Sequence, residues 1–356
     1  MFQIEGYREL SSTGIKISPI TLGTMTFGDQ NTQEQAFEQL NYAKSVGINS
    51  FDVAELYPVP PKADTYTMTE TIVGNWLKNI QRESVILSTK IAGPRRQLQW
   101  MRGGPLAIDL ENINAAVDNS LRRLQTDYID LLYLHWPERN VPMFGQYQFE
   151  PDLEYHQDGQ KIKWISIEEQ LEALSKIVKA GKARAIALSN EQPWGIMEFL
   201  RIAREKGLPL IAGVQNNYSM LNRVAELGLT EIIYREKLGF LSYSPLAFGH
   251  LTGKYIKNNQ AVGRVNLFPG YAQRYNKPGV MPAVIEYLRL AEDNNLSLTQ
   301  MALAFVYSRW FVTSTIIGAT SLAQLQENIN AFPTTLSKEI FEKIEQIHLM
   351  NMNPAP

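Results

Sequence analysis

Residues 183–245 read ARAIALSN (183–190), a helix-length segment at 193–206, IAGVQNNY (211–218), a second such segment at 222–237, and GFLSYSP (239–245). Short runs of this kind, several of them apolar almost throughout the chain, are what parallel strands covered on both faces look like. Strands alternating with helices imply βαβ units. The alternation extends both ways. Downstream, helices near 281–294 and 298–310 lead to STIIGA (314–319), then to helices at 321–330 and 337–349. Upstream lie IDLLYLHW (129–136) with helix 166–180, VILSTK (85–90) with a helix from about 109 to 124, INSFDVA (48–54) with TETIVGNWLKNI (69–80), and ITLGTMTF (20–27) with helix 32–46. Thr32…Gln35 and Ser166…Glu169 have capping-box spacing at two of these helix starts. In helix 32–46, Ala36, Phe37, Leu40, Ala43 and Val46 fall close to one face.

Eight strand-like runs in 356 residues predict an α/β fold of the closed (β/α)8 TIM-barrel type, which typically takes about 250 residues. A doubly wound sheet competes, but its Gly-x-Gly-x-x-Gly fingerprint is absent. The surplus residues fall in loops 91–108, 137–165 and 246–280, all after strand C-termini, where barrels of this kind build active sites. Segment 7–19 reads as a hairpin turning at Thr13-Gly14 and plugging the opposite end. No linker divides the chain, since PVPP (58–61) is too short, so residues 1–356 are expected to form one domain.

Composition excludes several function classes. Lys plus Arg number 34 and Asp plus Glu 36, a net charge of −2, without the basic excess of a nucleic-acid binder. There is no cysteine, which rules out disulfides, thiolate metal sites, iron–sulfur clusters and a cysteine nucleophile, and fits a reducing compartment. The four histidines show no metal-binding spacing, so no metal is expected. MFQIEGYREL lacks the basic start and apolar run of a signal peptide, and no stretch has the roughly 18 apolar residues of a membrane span, so a cytoplasmic protein is expected. Gly249…Gly253-Lys254 has three residues between its glycines and Tyr255 after the lysine, which excludes a phosphate loop of the triphosphatase type.

Three consecutive predicted strands end in reactive side chains: Asp52, with Tyr57 five residues further on, then Lys90, then His135. Neighbouring strands lie about 4.8 Å apart, so these groups can converge at one rim. Singly, each has an ordinary use in a loop cap, a packed aromatic, a solvated amine or a hydrogen-bonded imidazole. Together they have a joint one. A phenol donates a proton poorly at neutral pH; a nearby ammonium lowers its pKa, a carboxylate holds the ammonium, and an imidazole contacts the reacting oxygen. The set suits protonation of a carbonyl oxygen that receives hydride.

These residues resemble the aldo-keto reductase superfamily. NSFDVAELY (49–57) resembles its Asp…Tyr motif, and Lys90 in LSTK and His135 in LYLHWP fall where it carries its other catalytic residues. GTMTFG (23–28), QTDYIDLLYLHWP (125–137), AGKARAIALSN (180–190), YSPLAFGHLTGKY (243–255) and GATSLAQLQENI (318–329) match in order. DVAELYPVPP (52–61) with TETIVGNWL (69–77) is especially like the Tas-type bacterial branch. ALSN replaces a commoner Gly-Val-Ser-Asn and QNNYS a commoner Gln-x-Glu/Pro-Tyr-Ser, outside the catalytic set.

The resemblance implies NADPH-dependent reduction of aldehydes or ketones, with NADP(H) as cofactor and a small-molecule carbonyl substrate, and no nucleic-acid or membrane partner. Tyr57 would be the proton donor, Lys90 and Asp52 would tune it, and His135 would orient the carbonyl. Ser189, Asn190 and Gln215 would hold the nicotinamide carboxamide and Tyr243 would stack on its ring. Ser244, Leu246, Gly249, Thr252 and Lys254 would wrap the pyrophosphate, and Gly318, Thr320, Gln324, Glu327 and Asn328 the adenosine phosphate. The last site also has a physical basis, because Ser321…Gln324 has capping-box spacing and a helix N-terminus favours phosphate. A 2′-phosphate needs a cation as well, and Lys254 and Arg264 are the candidates. Met25 and Trp136 could form apolar walls for the substrate. The alternatives are an NADPH-binding regulatory or redox-sensing subunit and a phosphate-sugar isomerase on the same barrel.

Overall fold

A computed structural model describes residues 3–356 apart from 95, 97, 259, 269 and 272, which fall in two of the three long loops. All eight predicted runs become strands: β3 (Ile20–Gly23), β4 (Ser50–Asp52), β5 (Ile86–Ile91), β6 (Ile129–Leu134), β7 (Ala183–Ser189), β8 (Ile211–Asn217), β9 (Gly239–Tyr243) and β10 (Ser314–Ile317). They pair in parallel in chain order, and β10 returns to β3 to close a barrel. Two further strands, β1 (Arg8–Glu9) and β2 (Lys16–Ile17), form an antiparallel hairpin. Its turn spans Ser11 to Gly14, both with positive φ, rather than the two residues expected.

The hairpin seals the lower end. Leu10, Ile15 and Ile17 are buried with Ile86, Leu131, Ala185, Leu241 and Ile316 from the barrel interior. Gly239 permits this contact, since a Cβ there would stand 2.5 Å from Leu10 Cδ2. The Arg8 guanidinium donates to the carbonyls of Val312 and Thr313, just before β10. Each fully buried aliphatic side chain contributes about 1.5–3 kcal/mol.

The helices are α1 (Gln33–Ser45), α2 (Met68–Leu77), α3 (Leu110–Leu124), α4 (Ile167–Lys179), α5 (Pro193–Lys206), α6 (Leu229–Glu236), the short α7 (Lys254–Lys257) and α8 (Arg264–Leu267), α9 (Val280–Asp293), α10 (Leu298–Tyr307), α11 (Leu322–Asn330) and α12 (Lys338–Met350). Their apolar faces pack on the outside of the strands, as where Phe51 of β4 meets Trp76 of α2 with ring centres 5.0 Å apart. The capping boxes at Thr32 and Ser166 form with both arms. Segment 222–237 is not one helix: a 3-10 turn at Val224–Leu227 stops at Gly228, and α6 starts after it. Among the described residues no helix is long and apolar enough to cross a membrane.

Register positions the site. Asp52, the last residue of β4, lies level with Ser88 of β5. Lys90 lies two residues further along β5, on the same face, because side chains alternate along a strand. His135 follows the last residue of β6.

Candidate active site

The register brings Asp52, Lys90 and Tyr57 together. Lys90 Nζ donates to Asp52 Oδ2 at 2.5 Å, to the Val53 carbonyl at 2.8 Å and to Tyr57 Oη at 3.2 Å. An ammonium has three hydrogens, and these three acceptors take them all. Tyr57 Oη therefore accepts from Lys90, and its own hydrogen is left for another partner. Asp52 Oδ1 accepts from Ser88 Oγ and from Gln215 Nε2, both at 2.9 Å. The His135 ring lies edge-on to Tyr57 with centres 5.7 Å apart.

The electrostatics correct one expectation. Burial, reinforced by Asp52, pushes the Tyr57 phenol well above its ordinary pKa instead of below it. The Lys90 charge is met by Asp52 at contact distance, so the pair offers the phenol little net positive field, and desolvation wins. Lys90 itself is lowered by burial, with Asp52 opposing. Burial, then Lys90 and Arg96, hold His135 well below the usual histidine value, so the imidazole is neutral. Its Nδ1 is buried without a hydrogen-bond partner among the described residues. Trp136 is buried behind it, ring centres 4.9 Å apart, and its Nε1 donates to the Pro94 carbonyl at 2.8 Å.

Next to this cluster a polar network spans β7, β8 and β9. Asn190, at φ +55° just after β7, donates to the His135 carbonyl at 2.8 Å and accepts from Tyr243 Oη at 2.6 Å. Asparagine tolerates the left-handed region. Ser189 Oγ donates to the Gln215 carbonyl at 2.9 Å. Gln215, through its amide bond to Asp52, ties the network to the Lys90 cluster.

Both groups open on one cleft of about 1010 Å³. That is the upper end of the range for small-molecule pockets, about 1,000 Å³. Every catalytic and cofactor-binding candidate named from the sequence lines it except Lys90, which stands behind Asp52 and Tyr57. Met25 lines it as well; Trp136 does not.

The far end of the cleft fits a phosphorylated cofactor through its donor set. Lys254 donates to the Val262 carbonyl at 3.1 Å, and burial followed by the nearby Arg264 charge depresses its pKa. Arg264 Nε is buried without a hydrogen-bond partner among the described residues. Gly249, at φ +94°, keeps the loop close, for a Cβ there would stand 3.1 Å from Lys254 Cε. Ser321 caps α11 through Gln324 N–H, but the other arm of the expected box is diverted: Gln324 Oε1 accepts from Thr320 N and Oγ1. Asn328 Nδ2 donates to the Gly318 carbonyl at 3.2 Å. The sequence reading missed Arg96, Phe144, Tyr271, Arg274 and Tyr275, which also line the cleft from long loops where no periodic signal marks them.

Comparison with known proteins agrees over nearly the whole chain. The sequence profile of the Aldo/keto reductase family matches residues 19–349. Protein tas of Escherichia coli K12 is 41% identical over 351 residues, covering 98% of this chain and 99% of its own length. An aldo-keto reductase of Babesia bovis is 38% identical over 74% of this chain and 95% of its own. The L-glyceraldehyde 3-phosphate reductase of E. coli K12 is 28% identical over 96% of this chain and 91% of its own. With a profile match of this extent, a closed parallel barrel and a polar cluster at the strand C-termini, the chain belongs to the aldo/keto reductase family of oxidoreductases.

Proposed function

We propose that this protein reduces an aldehyde or ketone to the alcohol with NADPH, with Tyr57 as proton donor. The reading is carried by one observation: all three Lys90 hydrogens are committed, so the phenolic hydrogen of Tyr57 is the one left to face the cleft. When bound, the reduced nicotinamide supplies a hydride to the carbonyl carbon. Tyr57 gives its proton to the carbonyl oxygen, which completes the alcohol, and Lys90 keeps its hydrogen bond to the phenolate oxygen that results. A neutral His135 offers a ring N–H to the same oxygen and orients it. Ser189, Asn190 and Gln215 hold the carboxamide and Tyr243 backs the ring. Ser244, Leu246, Gly249 and Thr252 follow the pyrophosphate, while Gly318, Thr320, Gln324, Glu327 and Asn328 take the adenosine end. Preference for NADPH over NADH rests on the neighbouring cations Lys254 and Arg264. A cytoplasmic location accords with the lack of cysteine.

The test mixes protein, NADPH and a panel of aldehydes and follows the absorbance of the reduced cofactor. Oxidation that depends on the aldehyde supports the proposal. Tight NADPH binding with no turnover of any carbonyl would favour a regulatory or redox-sensing subunit, and sugar-phosphate isomerisation without nicotinamide would favour the third reading.

A further inference from the structure

Most other arginines withdrawn from solvent find carboxylates of their own; Arg8 instead donates to the Val312 and Thr313 carbonyls. Arg82 meets Asp130, Arg102 meets Glu55, Arg123 meets Glu70, Arg139 meets Glu191 and Arg223 meets Glu226. Among the described residues Arg96 and Arg274 have no such partner. Arg96 follows β5, Arg274 lies in the 3-10 turn Gln273–Asn276 after β9, and both line the cleft with Tyr57 and His135. Their guanidinium carbons lie 4.4 Å and 5.9 Å from the centre of the same Phe144 ring. Arg96 is also 5.3 Å from the Trp136 ring, which packs on His135. Arg96 therefore stands one aromatic ring away from His135, and Arg274 shares the Phe144 ring with it.

Among the described residues no carboxylate of the cleft pairs with them. Its lining carboxylates are Asp52 and Glu327. Asp52 is engaged by Lys90, Ser88 and Gln215, and Glu327 belongs to α11, with the adenosine-end candidates. The charged and polar groups that act on Arg96 are the phenols Tyr271 and Tyr243 and, against it, Arg274. Lys277 adds a third positive charge beside Arg274 while donating to the Gly145 carbonyl at 2.6 Å. Like charges gathered in a half-buried site repel, and an anion relieves that repulsion. Aromatic faces hold guanidinium planes by cation–π attraction. Arg274 spends one N–H on Tyr243, but a guanidinium carries five such donors, so edges remain for a ligand. Those edges match the two oxygens of a carboxylate or a phosphate. Arg264 is a separate case, since it lies against Phe248 and Met25 near Lys254 on the cofactor side.

We propose that the carbonyl substrate carries an anionic group, a carboxylate or a phosphate ester, and that Arg96 and Arg274 bind it. The inference rests on the carbonyl-reductase reading and sharpens it. It is tested with matched substrates: 4-carboxybenzaldehyde, 4-formylphenyl phosphate and uncharged methyl 4-formylbenzoate. At least one anionic aldehyde is expected to exceed the ester in kcat/KM by about tenfold or more, mainly through KM, as a charge-assisted hydrogen bond is worth roughly that factor. The preference should shrink with added salt, and the better of the two anions identifies the group. Arg96→Met and Arg274→Met should each cost the anionic aldehyde about tenfold more than the ester, with partial recovery in Arg274→Lys. The ester rate in each variant reports whether it has folded.

Equal kcat/KM for acid, phosphate and ester would overturn the proposal. So would variants whose losses follow a weakened NADPH Kd, measured separately. Should no aldehyde be reduced, the reductase reading fails by itself, and calorimetric titration of terephthalate into the NADPH-loaded protein decides the anion site. Binding that disappears in the double variant upholds it, and no binding overturns it.

Discussion

On one side of the barrel mouth, Asp52, Ser88 and Lys90 project from adjoining strands, and their charges cancel at contact distance. Across the cleft, Lys254, Arg264 and Arg274 project from the long loop after β9, and no carboxylate among the described residues pairs with them. The first side is complete within the chain; the second has its positive charge left over. A self-balanced cluster on strands can hold a proton donor to a fraction of an ångström, and cations on loops are free to choose which anions enter.

The sharpest way to break this contrast is to disarm the balanced side. Tyr57→Phe should lower kcat by about a thousandfold, within the usual range for a general acid, with the NADPH Kd nearly unchanged. Stopped-flow turnover and a fluorescence titration read the two quantities, and an undiminished kcat would remove Tyr57 from the chemistry. Lys90→Met should follow, at about a hundredfold in kcat. It also leaves the Asp52 carboxylate buried without its cation, which costs about 3–5 kcal/mol of stability in a denaturant titration. A stable and active Lys90→Met would mean that the two charges were never coupled.

On the loop side, Lys254→Met should raise the NADPH Kd by about tenfold and the NADH Kd much less, the loss expected for one charge-assisted contact to a 2′-phosphate. Equal losses for both cofactors would move Lys254 away from that phosphate.

The smallest effect concerns Glu138, at the start of the loop after β6. Burial pushes its carboxyl up to about 7 although the Ile108 N–H donates to it at 2.9 Å. A carboxyl whose pKa is higher folded than unfolded binds more protons in the native state between about pH 4.5 and 7. Its contribution to stability is therefore present in acid and lost as pH rises through that window. Glu138→Gln should flatten the fall in Tm across it, a matter of a few degrees at most. An unchanged Tm profile would place the proton elsewhere.

The strand side was the legible one. Eight apolar runs located eight strand ends, and Asp52, Lys90 and His135 were visible because they terminate or follow those runs. What the sequence concealed depends on distances between segments far apart in the chain. Lys90 was expected to lower the Tyr57 pKa, but that required knowing how completely Asp52 would offset it. Gln324 had the spacing for a capping box, yet two nearby Thr320 donors took its oxygen. Arg96 and Arg274 lie about 180 positions apart in irregular loops, and only the folded chain sets them over one phenylalanine.

The Arg8 clasp on Val312 and Thr313 has a consequence for how the molecule is made. Arg8 is fastened to residues that leave the ribosome about 300 positions after it, and Ile20–Leu22 finds one of its two neighbouring strands only when 315–317 appears. Until then the nascent sheet has an open seam and the apolar face of the hairpin lacks part of its seat. Any chaperone that shields this protein during translation has its work concentrated at that seam, and a ribosome stalled before residue 314 would present the same bare edge to a neighbouring polypeptide.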